Sequence, residues 1–297
     1  MIDAHPPRVH ISGVIPERIS DVVKREFTLL DDAVGAEGIL SLATTPISEA
    51  YLQHVGPQLR VVANYAAGTN NIDLDAARRR GIVVTNTPDV LTRATAELAV
   101  TLMLSLLRRV AEGDRFVRMG KPLSSSLEFM LGESLDGKIL TIVGPGRIGR
   151  ETARLAGAFG ADVVFVGRRD DLRGALGRAD IVSIHCPLAP ETHHLIDTAV
   201  LHCMQRTAVL VNTARGPIVN EAALADALRR GVIAGAALDV YEFEPEVTAS
   251  LLSMDNVVLT PHIGSGTRRT REDMGMLAVD GLRAVLLEGR RPKNAVA

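Results

Sequence analysis

The chain has 297 residues, 46% of them hydrophobic and 23% charged, with a net charge of -2. That length exceeds one comfortable core and suits two domains, while the near-neutral balance excludes the basic footprint of a nucleic-acid or anionic-membrane binder. Cys186 and Cys203 are the only cysteines and form no CxxC, so neither a disulfide framework nor a zinc site is suggested, and no apolar run reaches the length of a bilayer span.

The opening residues, Met1-Ile-Asp-Ala-His-Pro-Pro, have neither the basic n-region nor the apolar h-region of a secretory leader. A soluble, cytoplasmic protein is expected. The elements then alternate between short β-rich runs and helical stretches, which predicts parallel βαβ units. In the first part, strands are expected over 9–11, 27–30, 38–42, 59–62 and 82–84, with helices over 16–25, 48–54 and 74–80. Only residues 31–37 separate the second strand from the third. That is too few for a crossover helix, since a parallel crossover ordinarily takes about a dozen residues. A displaced strand or an opened sheet edge is therefore expected there. One long helix is expected over 91–119, with Leu98, Leu102, Met103, Leu106 and Leu107 on its apolar face. The polar segment 120–126 reads as a loop.

The next stretch is the most informative. Ile139-Leu-Thr-Ile-Val runs into Gly144-Pro-Gly146-Arg147-Ile148-Gly149, and a helical pattern follows to about Phe159. Strand, glycine turn and helix in that order are the context a dinucleotide site needs. Gly144 allows the tight turn, Gly146 lets the backbone approach a pyrophosphate, and Gly149 lets the helix pack on the strand with its N-terminal amides toward the phosphates. Pro145 brings no N–H, so the amides of Arg147 and Ile148 remain as donors. Later strands are expected over 162–166, 181–185, 208–212, 236–240 and 257–260, with helices over 197–205, 220–230 and 268–288.

NAD sites place an acid at the end of the second strand, roughly 20 residues past the glycines, to hold the ribose 2′-hydroxyl. Here the strand is followed by Gly167-Arg168-Arg169-Asp170-Asp171. A glycine in place of the acid leaves room for a 2′-phosphate, and Arg168 and Arg169 supply charge and forked hydrogen bonds. NADPH is therefore expected over NADH. Two alternatives stay open: a solvated charged loop, and ribose binding by Asp170 or Asp171 if the strand ends elsewhere.

Several further motifs follow in order: Asn70-Asn-Ile-Asp73, Gly81-Ile-Val-Val-Thr-Asn-Thr-Pro88, His185-Cys-Pro-Leu188, Val211-Asn-Thr-Ala-Arg-Gly216, Leu238-Asp-Val-Tyr-Glu-Phe-Glu-Pro245 and Leu259-Thr-Pro-His-Ile-Gly264. With the glycine turn they make nearly the whole chain resemble the D-isomer-specific 2-hydroxyacid dehydrogenases. Gly167-Arg168-Arg169 brings it nearest to the NADPH-using glyoxylate/hydroxypyruvate reductases.

The resemblance implies two Rossmann-like or flavodoxin-like α/β domains of parallel sheet with a cleft between them. Residues 1–89 and 269–297 would form the substrate-binding domain and 90–268 the dinucleotide-binding domain. It implies a homodimer built through the long helix, a small 2-oxo or 2-hydroxy acid substrate, NADPH as cofactor (NADH as the weaker alternative), and no metal, membrane or nucleic acid.

Its catalytic trio falls on Arg215, Glu244 and His262. Reduction of a 2-oxo acid needs a proton for the carbonyl oxygen, and an imidazole is suited to give it. Glu244 would hydrogen-bond the ring and favour its protonated form. Arg215 would bind the substrate carboxylate with its fixed fork and polarise the carbonyl. Ala67 and Gly68 would add backbone amides to the carboxylate. Asp239 would hold the nicotinamide carboxamide, with Thr213, Ala214 and Gly264 beside it, and Cys186 and Pro187 would lie along the dinucleotide. Each residue alone fits an ordinary structural role; the ordered motifs are what raise them to a site. His185, His193, His194 and His202 are read as structural. Asn70 and Ala67 depart from the family's usual Asp and Val. Phosphoglycerate, formate or phosphite dehydrogenases, and the dinucleotide-sensing corepressors that share the fold, are the competing readings.

Overall fold

A computed structural model describes residues 5–297. The chain begins with β1 (Arg8–Ile11), α1 (Glu17–Glu26), β2 (Thr28–Leu30), β3 (Gly38–Ser41), α2 (Glu49–Val55), β4 (Val61–Asn64), α3 (Leu74–Arg79) and β5 (Val83–Thr85). It continues through α4 (Thr92–Leu107), α5 (Val110–Arg118), β6 (Ile139–Val143), α6 (Arg147–Gly157), β7 (Asp162–Val166), α7 (Leu172–Leu176) and β8 (Ile181–Ile184). Last come α8 (Thr198–Leu201), β9 (Val209–Asn212), α9 (Glu221–Arg229), β10 (Gly235–Leu238), α10 (Ala249–Leu252), β11 (Val257–Leu259) and α11 (Arg268–Leu286). They divide into two compact units. One runs to Leu91 and resumes over Ser265–Ala297; the other is Thr92–Gly264.

The first unit holds a five-stranded sheet in the order β2-β1-β3-β4-β5, and every pairing is parallel. This is the flavodoxin-like order. β3 and β4 are buried along their whole length, as strands covered on both faces must be. On one face Ile39, Val62 and Val84 pack with Leu52, Val55, Ala76 and Ala77 of α2 and α3. On the other, Gly38 lies against Leu282 and Leu286 of α11.

The edge of this sheet is neither opened nor displaced, contrary to the expectation from the short 31–37 connection. The register explains why. Leu30 lies level with His10, and Gly38 lies level with Val9. The chain therefore steps back one residue, about 3.3 Å, while crossing two strand spacings of about 4.8 Å each. A bare loop spans that. Ala33 and Ala36 are buried in it, Gly35 turns it at φ 81°, and the Gly35 N–H donates to Val55 O.

The second unit holds a six-stranded parallel sheet in the order β11-β10-β9-β8-β6-β7. Its side chains alternate with the period of the pleat. Leu140, Ile142, Ile181, Val209, Val211 and Ala237 face one core with Ala99, Leu102 and Met103 of α4 and Ala153 and Ala156 of α6. Val143, Val182, Ile184, Leu210, Ala236 and Leu238 face the other, with residues of α7, α8 and α9. From β6 the chain goes outward to β7, then returns to β8 on the opposite side of β6. The carboxyl ends of β6 and β8 are thus a topological switch point, where ligands bind in open α/β sheets.

The single long helix expected over 91–119 is two helices. Arg109 breaks it in the left-handed region, at φ 53°. The freed carbonyl of Leu107 accepts the Glu133 N–H at 2.9 Å, while the Arg109 guanidinium forks onto both oxygens of Glu112, at 2.7 and 2.6 Å. Docking of residues 132–133 on the break supplies what the helical ladder loses. The expected 197–205 helix is shortened to α8, and His202 caps its end. The short helices α7 and α10 lie in segments for which no element was expected.

Candidate active site and dinucleotide turn

The glycines of the turn have three different reasons to be glycine. Gly144 has φ 97°, and a Cβ there would lie 2.5 Å from the Cys186 N. Both the left-handed backbone and the close approach of the chain leaving β8 require it. Gly149 lies on α6 beneath the turn, where a Cβ would meet Gly144 O at 2.5 Å and Ile142 Cγ2 at 2.9 Å. Gly146, the N-cap of α6, meets nothing within 4 Å. Its missing side chain leaves open space at a helix N-terminus beside the N–H groups of Arg147 and Ile148, which is what a pyrophosphate needs. Thr213, after β9, has a buried hydroxyl without a hydrogen-bond partner among the described residues, a polar atom free for a ligand. These residues fit a bound dinucleotide.

Pro145 also has a place. Its Cγ and Cδ lie 3.9 and 4.0 Å from where a Cβ on Gly167 would sit. The ring therefore joins the phosphate turn to the corner at the end of β7. That strand ends at Val166, as expected, and Gly144 N donates to Val166 O at 2.9 Å. In the corner, Arg168 is exposed and reaches Glu191 at 3.4 Å; Arg169 is also exposed. Asp171 caps α7 by accepting from Gly174 N. Asp170 folds back, and its Oδ2 accepts the Gly167 N–H at 2.7 Å.

Arg215, Glu244 and His262 follow β9, β10 and β11, three adjacent strands, past their carboxyl ends. The His262 Nδ1–H donates to Glu244 Oε2 at 2.9 Å, and Nε2 has no partner among the described residues. The Tyr241 N–H donates to Glu244 Oε1 at 3.0 Å. Burial pushes the Glu244 carboxyl up, but hydrogen bonds from His262 and Tyr241 and the charges of His262 and Arg215 outweigh it and hold it below its ordinary 4.5. The Arg215 guanidinium is half-buried and interacts electrostatically with Glu244; burial works against its charge. The three groups thus form one electrostatic set: a carboxylate that stays ionised, an imidazole hydrogen-bonded through one nitrogen, and a cation.

Supporting residues that the sequence reading left out hold this set in place. Buried Asn212 grips the Arg215 turn from both sides: its Oδ1 accepts from Ala214 N at 3.0 Å and its Nδ2 donates to Arg215 O at 2.9 Å. Gly216 lets this turn touch the Glu244 loop, for a Cβ there would lie 1.8 Å from Tyr241 O. Tyr241, itself buried, donates its hydroxyl to Thr260 O at 2.9 Å, tying the ends of β10 and β11.

Asp239, expected at the carboxamide, is 1% exposed and holds the His262 loop. Its Oδ1 accepts from Ile263 N at 2.8 Å and Thr260 Oγ1 at 2.7 Å, and its Oδ2 accepts from Gly264 N at 2.7 Å. Between these anchors His262 sits at φ 51°. The Asp in Leu238-Asp-Val was the available signal. Its spacing from residues 260–264 in sequence hid the contact.

The other histidines fall outside this set. His185 bonds Ser183 Oγ at 2.8 Å, and burial holds its pKa down to about 4, so the ring is neutral. Cys186 follows it, its thiol pushed up to about 11 by burial, with Pro187 next. His194 bonds Glu242 at 2.6 Å, and Glu242 and Glu221 in turn accept each other's backbone N–H. In the first unit, the carbonyls of Ala67 and Gly68 accept from Asn86 and Asn64, at 2.7 and 2.8 Å. Asn71, in the same loop, donates to Leu42 O and Thr45 O. No helix among the described residues is long and apolar enough to cross a membrane.

The model of the D-isomer specific 2-hydroxyacid dehydrogenase NAD binding domain matches residues 100–264. A glyoxylate reductase of Korarchaeum cryptofilum is 40% identical, over 98% of this chain and 96% of its own. Among solved structures, the TT0316 protein from Thermus thermophilus superposes with a TM-score of 0.90 at 40% identity, covering 98% of this chain and 100% of that one. The NADPH-dependent glyoxylate/hydroxypyruvate reductase of Sinorhizobium meliloti, solved with NADP and malonate, superposes with a TM-score of 0.85 at 34% identity, covering 98% and 97%. The chain belongs to the D-isomer specific 2-hydroxyacid dehydrogenase family and is an NAD(P)-dependent oxidoreductase.

Proposed function

We propose that the enzyme reduces small 2-oxo acids, glyoxylate and hydroxypyruvate foremost, with NADPH in preference to NADH. The observation that carries the reading is the His262–Glu244 hydrogen bond of 2.9 Å, set at adjacent strand ends beside the Arg215 cation. The nicotinamide, when bound, supplies the hydride. His262 donates a proton from Nε2 to the carbonyl oxygen, and Glu244, kept ionised, balances the imidazolium that gives it. Arg215 binds the carboxylate and draws electron density from the carbonyl. The backbone N–H groups of Ala67 and Gly68, unused within the protein among the described residues, take part in carboxylate binding.

In this reading, residues 90–268 bind the dinucleotide, and 1–89 with 269–297 bind the substrate. Gly144, Gly146, Arg147, Ile148 and Gly149 cradle the pyrophosphate, and Arg168 and Arg169 meet the 2′-phosphate. Cys186, Pro187, Thr213, Ala214, Asp239 and Gly264 line the remainder of the dinucleotide. Support for NADPH is the glycine at 167 and the two exposed guanidiniums after it. Support for a homodimer is the run of exposed apolar side chains at Val110, Val117, Met119, Leu123, Leu127 and Leu131, which wants a partner surface. We place this activity in the cytoplasm.

Replacing His262 by Gln tests the central role. The variant should bind NADPH with unchanged Kd and lose kcat by at least about a hundredfold, the usual scale of a general acid. Turnover equal to the parent enzyme would remove His262 from the reaction.

A further inference from the structure

We infer that Asp170 is a specificity-determining residue of the cofactor corner, an internal anion that competes with a 2′-phosphate and keeps NADH usable. The inference rests on the reading that residues 167–169 receive the adenosine ribose. The corner is defined by three observations. β7 ends at Val166 beside β6. Pro145, within the phosphate turn, packs on the Gly167 position. Two arginines, Arg168 and Arg169, follow.

The glycine at 167 removes the acid that NAD sites carry at the strand end, but it does not leave the corner without a carboxylate. The Asp170 side chain returns along the loop until its Oδ2 lies 2.7 Å from Gly167 N. The same oxygen is 3.4 Å from where the Gly167 Cβ would be. The negative charge absent from position 167 is therefore restored from three residues downstream. It occupies the Gly167 N–H, a backbone donor at the strand end, and it neutralises part of the field of Arg168 and Arg169. Arg168 is drawn further by Glu191 at 3.4 Å. Asp171 differs, since its carboxylate is committed to the N-terminus of α7. A ribose hydroxyl can donate to the Asp170 carboxylate, whereas a 2′-phosphate is repelled by it. Removing the charge should therefore shift the balance toward the phosphorylated cofactor.

The test measures Kd of the full-length protein for NADP+ and NAD+, and for the fragments 2′,5′-ADP and 5′-ADP, by titration calorimetry. The parent protein is compared with Asp170→Asn and Asp170→Ser. Asparagine keeps an acceptor for the Gly167 N–H at the same reach without the charge, and serine removes both, so the pair separates electrostatics from loop support. Both variants should tighten NADP+ and 2′,5′-ADP by roughly tenfold relative to NAD+ and 5′-ADP, the scale of a carboxylate facing a dianion a few ångströms away across water. The gain should shrink at high salt. An unchanged NADP+/NAD+ ratio in Asp170→Asn, or a ratio moving toward NAD+, would overturn the inference. Which cofactor the parent protein prefers is a separate readout. A parent preference for NAD+ that both variants shift toward NADP+ would refute the NADPH reading and leave the role of Asp170 standing.

Discussion

Gly216→Ala is the sharpest test of how the site is assembled. The Arg215 turn and the loop carrying Tyr241 and Glu244 touch across this glycine, with backbone rather than a movable side chain on the far side. A Cβ at 216 would lie 1.8 Å from Tyr241 O, 1.9 Å from its carbonyl carbon and 2.4 Å from Glu242 N. Real Cβ contacts do not fall under 3.0 Å, so the two segments must part by about 1.2 Å, and a displacement of that size costs on the order of a hundredfold in rate. Arg215 moves on one side and Glu244 on the other, so kcat should fall and KM for the 2-oxo acid should rise. Gly146→Ala is the comparison. Its Cβ meets no protein atom, so it should keep the parent Tm and lose affinity for the dinucleotide. Steady-state kinetics, NADPH titration and thermal unfolding on both variants separate the outcomes. A Gly216→Ala protein with parent kcat, KM and Tm would refute the argument that this contact sets the site.

Asp239→Asn should lower both Tm and kcat. An amide can accept on one side only, so its NH2 must face either the Ile263 or the Gly264 N–H that Asp239 now accepts; an unmet buried donor costs about 1–3 kcal/mol. Unaltered melting and turnover would show that the His262 loop does not depend on it. Glu244→Gln should change the acid limb of stability. The folded pKa of Glu244 lies below its ordinary 4.5, so its contribution is fully present above that pH and is lost as pH falls through the depressed value. The variant lacks this contribution, and its Tm should decline less steeply below pH 4.5 than the parent's; parallel acid limbs would contradict the coupling of Glu244 to its neighbours.

The parts of this fold that were legible in the sequence are those where one residue type has one physical reason. β7 could be delimited because an apolar run ended at Gly167, and β6 and α6 because three glycines fall between a buried strand and a helix. The break at Arg109 could not be read, since neither glycine nor proline marks it. A left-handed arginine is stabilised there by Glu112 and by the Glu133 N–H, contacts that the local pattern does not contain. The 31–37 crossover was misjudged because β2 is short: the usual length rule assumes a chain that must travel back along a full strand. Within the site, the trio was legible from motifs, but the residues that hold it were not. Asn212 and Gly216 act through backbone contacts, and Asp239 reaches a loop far from it in sequence. Pro145, unexplained by the glycine pattern, is a packing partner of Gly167, visible once β6 and β7 lie side by side.

The measurement that bears most directly on the function is NADPH oxidation by the purified protein with a panel of 2-oxo acids, repeated with NADH. Turnover with glyoxylate and hydroxypyruvate is expected, with a higher kcat/KM for NADPH than for NADH. NADPH binding without oxidation by any acid of the panel would contradict this function and leave a dinucleotide-sensing role, while efficient turnover of phosphoglycerate, formate or phosphite would replace the substrate.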